Sequence, residues 1–121
     1  MYREIQIGEK TVPMVANGAT ALRYRHVFKR DLIKEFQEAK NDAAKGFNSI
    51  PELAFIMAKT VEAKEGKANM NLLNDDDLIE WLEQFGPMDV LMASDEIVNL
   101  YTGNAEASVE QKKEEGGVSE S

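Results

Sequence analysis

The run PELAFIMAKTVEA, from Pro51 to Ala63, cannot fold as an ordinary surface helix. Leu53, Phe55, Ile56, Met57 and Val61 are spread around much of its girth, whereas a surface helix keeps its apolar residues to one stripe. Such a helix needs cover on two sides: one side from the rest of the fold, and a second for which another subunit is a candidate. Ser49-Ile50-Pro51-Glu52 has the form of a capping box with proline in the first turn, a start signal that contributes about 1 kcal/mol.

Upstream, YREIQIGEKTVPMV alternates on either side of Gly8-Glu9-Lys10, the pattern of a β-hairpin with strands over Tyr2 to Ile7 and Thr11 to Val15. Pro13 has no ladder donor, which puts the second strand at an edge or makes it irregular. Asn17 then caps NGATALRYRHVFKRDLIKEFQEAK, in which Tyr24, Phe28, Leu32 and Phe36 recur at i+4 as the clearest stripe in the chain. Lys29, Arg30 and Asp31 interrupt only its outer face, so one bent helix and two abutting helices both remain open. Arg23, Arg25, Arg30 and Lys34 read as a solvated face, with a subunit contact as the alternative.

Periodicity is lost over EAKEGKANMNLLN, from Glu62 to Asn74, which reads as a surface loop anchored at its far end by Met70, Leu72 and Leu73. Asn74 or Asp75 caps the next helix, DDDLIEWLEQF, with Leu78, Trp81, Leu82 and Phe85 on one face and Asp76, Asp77, Glu80 and Glu83 on the rest. Gly86-Pro87 turns the chain into PMDVLMASDEIVNLY, with Pro87 in the first helical turn and a stripe of Val90, Ser94, Ile97 and Tyr101 that ends at Gly103. Two helices meeting at so short a corner must share one apolar cluster. The last segment, AEASVEQKKEEGGVSES, has no aromatic residue and reads as disordered. The expected architecture is α+β: an N-terminal β-hairpin followed by a mainly α-helical domain over 1–104, then a disordered acidic tail over 105–121.

A length of 121 residues suits one such domain. With no cysteine there are no disulfides or zinc-thiolate sites, which fits a reducing compartment. The polar N-terminus has no signal-peptide core, and no stretch approaches the roughly 20 apolar residues of a membrane span, so a soluble, unexported protein is expected. The net charge of −8 is uneven: residues 1–48 carry +3, residues 49–104 carry −8 and the tail −3. A basic front and acidic back favour head-to-tail self-association and disfavour nucleic acid as a main partner.

Residues that carry chemistry are sparse. His26 has no cysteine or second histidine with which to complete a metal site, and Asp75-Asp76-Asp77 lacks the alternating ligands and central glycine of a calcium loop. An acidic helix start favoured by the helix dipole explains the triplet. The serines lie in no nucleophile-elbow pattern, and Gly116-Gly117 sits in the tail, so neither covalent catalysis nor a phosphate loop is indicated. No cofactor or metal is expected, and the chain reads as a non-enzyme. Trp81 and Phe85 read first as core packing, with a partner-facing anchor as the sharper alternative, since aromatic residues dominate both settings, and the stripe Tyr24, Phe28, Leu32 and Phe36 reads as core. The candidate partner or subunit residues are Tyr24, Phe28, Phe55, Ile56, Trp81 and Phe85.

Taken in order, the hairpin ending in KTVPM, the run NGATALRYRHVFKRDL, the helix ELAFIMAK, and WLEQFGPMDV followed by EIVNLY resemble the tail assembly chaperones of long-tailed phages and prophages of Gram-positive bacteria. The resemblance covers nearly all of residues 1–103, with one departure: Lys29 stands where such sequences often have glycine. It implies a non-catalytic protein, working as a homo-oligomer in the bacterial host cytoplasm and absent from the mature virion. Such a protein binds the tape measure protein, keeps it soluble and recruits tail tube protein for polymerisation around it. The family often makes a longer form by programmed frameshifting, and Gln111-Lys112-Lys113 suits a slippery run, with an ordinary polar tail as the alternative. The competing reading is a minor structural tail or connector protein of the virion. A third is an acidic regulator that sequesters a basic protein.

Overall fold

A computed structural model describes residues 1–39 and 43–103; the tail over 105–121, with Gln111-Lys112-Lys113, lies outside the described residues. Strand β1 (Tyr2–Ile7) pairs antiparallel with β2 (Lys10–Val15), Tyr2 opposite Val15 and Ile7 opposite Lys10. The loop is Gly8-Glu9, with Gly8 at φ +61°, as a two-residue turn with glycine first requires. Met1 and Ala16 exchange backbone hydrogen bonds of 2.5 and 2.8 Å, which fixes the parity of the ladder. Odd-numbered residues of β1 then sit in hydrogen-bonded pairs. Pro13, opposite Glu4, falls in a non-bonded pair and removes no ladder bond. Ile5, Ile7 and Met14 are buried beneath the hairpin, while Glu4, Gln6 and Thr11 face out.

The i+4 stripe divides into two helices, α1 (Thr20–Phe28) and α2 (Leu32–Ala39). Asn17 supplies the lead-in rather than the cap proper, its side chain accepting from the Ala19 N–H at 2.9 Å. The break is at Lys29, which adopts the left-handed conformation at φ +62° and donates its N–H to the Arg25 carbonyl. Asp31 then starts α2 by accepting from the N–H groups of Ile33 and Lys34. Tyr24, Phe28 and Leu32 are nonetheless buried in one core, with Phe36 packed against it.

Helix α3 (Ala43–Lys64) corrects the expected start at Ser49-Ile50-Pro51-Glu52, because it already runs through that segment and carries Pro51 inside it. An interior proline forfeits one helical hydrogen bond and costs about 3 kcal/mol in an isolated helix. Here the cost is offset by the next turns, where every side chain from Leu53 to Ala58 is buried. Cover comes from the chain itself, since β2, α1, α2, α4, α5 and α6 all pack on α3. The two-sided burial demanded by the sequence is therefore met without a second subunit. The helix ends in a Schellman motif: Gly66, at φ +78°, donates to Ala63 and Lys67 donates to Glu62.

The loop after it holds a short 3-10 turn, Met70–Leu72, whose Met70 and the following Leu73 pack on the core while Leu72 stands in solvent. Asn74 caps α4 (Asp75–Leu82): its side chain accepts from the N–H groups of Asp76 and Asp77, and the Asp77 carboxylate accepts in return from the Asn74 N–H. That reciprocal box gives Asp77 a structural duty. Pro87 lies before the next helix rather than in its first turn, and the expected single helix is two, α5 (Asp89–Met92) and α6 (Ser94–Tyr101). Their buried stripe is Val90, Ala93, Ile97 and Leu100, not Val90, Ser94, Ile97 and Tyr101, with Ser94 and Tyr101 half-buried at its edge. Gly103, at φ +75°, ends α6 as expected. No helix among the described residues is long and apolar enough to cross a membrane.

Candidate partner-binding surface

The side chains offered by the sequence for partner contact are brought together, but in the interior. Ring centroids run from Tyr24 to Phe28 at 5.1 Å, Phe28 to Phe55 at 6.3 Å, Phe55 to Trp81 at 5.8 Å and Trp81 to Phe85 at 5.1 Å, mostly edge to face. Tyr24, Phe28, Phe55, Ile56 and Trp81 are buried by the chain itself, so in the folded state they touch one another and not a partner. The physical reason is that α1 supplies Tyr24 and Phe28, α3 supplies Phe55 and α4 supplies Trp81, so the row of rings ties the three helices together. Only Phe85, which lies three residues beyond the end of α4 rather than within the expected helix, keeps part of its ring in solvent.

Beside the rings lies a polar cluster that the sequence does not announce. Glu52 on α3 is buried, accepts a hydrogen bond from the Tyr24 hydroxyl at 2.5 Å and is ion-paired with Arg30; Glu35, also buried, stands 3.9 Å from the same guanidinium. Arg30 is thus not part of a solvated face. The left-handed turn at Lys29 swings it back over Phe28, 6.0 Å from the ring centroid. Burial and the bond to Glu52 push the Tyr24 pKa far up, so it stays neutral. Burial opposes the Arg30 charge, and the bond to Glu52 with the neighbouring carboxylates outweighs it. Arg23 likewise turns inward, donating to Thr60 at 3.4 Å. The cluster joins α1, α2 and α3, and the Arg30 Nε within it is buried without a hydrogen-bond partner.

What remains outward is a scattered set of apolar side chains that periodicity assigned to no stripe. Leu22, Leu72, Ile79 and Met92 are 67, 73, 56 and 81 % exposed. Two clefts open on the same surface, and of these four residues Leu22 lines one of them. One, of about 300 Å³, lies at the corner between α4 and α5, where Pro51, Leu82, Phe85, Pro87, Met88 and Leu91 line it. Exposed Met88 and Met92, four residues apart, mark one face of α5 beside it, and Glu83, Asp95 and Glu96 lie exposed on the flanking segments. The corner is held by Asp89, whose carboxylate accepts from the Gly86 N–H at 2.8 Å and lies against Gly8 of the hairpin turn. The second cleft, about 690 Å³, opens between α1 and the 3-10 turn, with Leu22, Arg25, His26 and Lys29 on one wall and Met70 and Asn71 on the other. The only sequence signal for either was an apolar residue out of phase with its helix.

No protein-family model matches the chain, and neither a curated protein nor a solved structure is similar to it.

Proposed function

We propose that this chain is a phage tail assembly chaperone that holds the tape measure protein soluble in the host cytoplasm and delivers tail tube protein to it, acting as a homo-oligomer without catalysis. The observation that carries the reading is the apolar corner cleft. A groove lined by leucine, phenylalanine and proline, with exposed Met88 in its wall, suits the apolar face of a helix and tolerates many sequences, since methionine is flexible and polarizable. Exposed carboxylates around it keep the apolar surface from aggregating while it is empty. The pattern of segments along residues 1–103 adds the resemblance described above.

The test is co-expression with the tape measure protein of the same genome, followed by co-purification. Soluble co-purification is expected, with loss on Met88→Glu combined with Leu91→Glu, while circular dichroism stays unchanged. An insoluble tape measure protein with this chain alone in the supernatant, together with recovery of this chain from purified particles by mass spectrometry, would replace the chaperone with a structural tail component.

A further inference from the structure

Two exposed helix faces of this chain mirror each other. From α1 into its C-cap, Leu22, Arg25, His26 and Lys29 follow the spacing i, i+3, i+4, i+7, and all four are exposed. From α4 into its C-cap, Asp76, Ile79, Glu80 and Glu83 follow the same spacing, and all four are exposed. Each face carries one large aliphatic side chain among charged or polar residues, basic on α1 and acidic on α4. Among the described residues no ion pair or side-chain hydrogen bond joins one face to the other. The Lys29 ammonium turns back to the His26 carbonyl at 2.8 Å, and the other charges stand in solvent.

We propose that the α4 face of a second copy docks in the cleft between α1 and the 3-10 turn, placing Ile79 between Leu22 and Met70 with Glu80 and Glu83 against Arg25 and Lys29. The α1 wall of the cleft supplies the cations, and the opposite wall supplies Met70. A lone aliphatic contact or a lone exposed ion pair contributes little, but here both kinds fall at matching positions along one helical repeat. The occupant is a copy of the same chain because this chain carries the complementary face. The net charge of residues 1–48 is +3 and that of 49–104 is −8, so the fields of two copies steer the same two ends together. Contact between different surfaces of identical chains is heterologous, and such contacts close into a ring or extend as a filament. The inference rests on the homo-oligomer part of the proposed function and makes no use of the client.

Charge reversal of each face gives the test, using the purified full chain without tape measure protein. Variant one is Arg25→Glu with Lys29→Glu; variant two is Glu80→Lys with Glu83→Lys, with circular dichroism as the check on folding. By sedimentation the wild type is expected to exceed the 13.5 kDa monomer and to fall toward it as salt rises from about 0.05 to about 0.5 M. Each variant alone is expected at monomer mass, because its own two faces now repel. Mixing the variants in equal amounts restores the larger species, since the acidified α1 face of one meets the basic α4 face of the other. A monomeric wild type, variants that keep the wild-type mass, or a mixture that stays monomeric would each overturn the contact. Should the wild type be monomeric while variant one loses the tape measure protein, the cleft belongs to the client.

Discussion

The Tyr24–Glu52 hydrogen bond is the most exacting check on how this core is tied. Tyr24→Phe removes a donor to a buried carboxylate and leaves the ring in place, a loss of about 1.5 to 3 kcal/mol for a bond to a charged group. Glu52→Gln keeps an acceptor for the hydroxyl but removes the ion pair with Arg30, whose side chain is 39 % exposed, so screening limits that loss to about 1 kcal/mol. Glu52→Ala strands both partners and should cost about 3 to 4 kcal/mol. A double-mutant cycle of Tyr24→Phe and Glu52→Ala, from urea melts, should give a coupling of about 1 to 2 kcal/mol. The tyrosine also sets an alkaline limit. Its folded pKa is raised by burial first and by Glu52 second, above the unfolded value near 10. The stabilisation is therefore complete below about pH 10 and is lost as pH rises beyond it, with a slope near 1.4 kcal/mol per pH unit from this group. Tyr24→Phe should flatten that slope. Additive losses in the cycle, within about 0.5 kcal/mol, and an unchanged alkaline slope would refute the bond as the tie between α1 and α3.

Lys29 holds a left-handed conformation that costs a residue with a Cβ about 1 to 2 kcal/mol, so Lys29→Gly should stabilise by about 0.5 to 1 kcal/mol after the added freedom of the unfolded chain, whereas Lys29→Ala, which removes the same charge, should not; paired thermal melts separate them. Gly8→Ala should destabilise by about 2 kcal/mol or more, because a Cβ there meets the Asp89 carboxylate and φ is +61°; the same melts read it. Phe55→Glu and Ile56→Glu should unfold the chain rather than change its oligomeric mass, since an unpaired carboxylate would enter the core; circular dichroism and light scattering together distinguish the outcomes.

Elements with strong local chemistry were legible in the sequence. The hairpin follows from alternation around Gly8, the α4 cap from Asn74, and the central position of α3 from apolar residues on all its sides. What failed did so because a tertiary term outweighed a local one. Ser49-Ile50-Pro51-Glu52 matches a capping box, yet burial on α3 outweighs the proline and Glu52 is taken by Tyr24 and Arg30. Lys29 conceals a helix end that glycine would have announced. For the aromatic residues core packing holds and the anchor alternative does not, because a domain of this size needs them to fill its interior; the exposed apolar positions fall to Leu22, Ile79, Met88 and Met92, which no apolar stripe announces.

That distribution bears on how such a chain would hold a client. Covering Met88, Met92 and the open part of Phe85 gains roughly 1 to 2 kcal/mol each, a few kcal/mol in all. Association alone costs about 4 kcal/mol or more, so one copy binds a helix weakly. Linked copies change the arithmetic, because each further cleft engages at the effective concentration set by its neighbour and overall avidity rises by factors of about 100 or more. The self-contact proposed through α1 and α4 leaves the corner cleft between α4 and α5 uncommitted, since Leu82, Phe85 and Leu91 belong to neither stripe. A chain whose α1 stripe is reversed should therefore lose retention of the tape measure protein with its corner cleft intact, and mixing in the α4-reversed partner should bring it back. Retention by the monomeric variant at wild-type strength would mean that a single cleft suffices and that self-association serves another step.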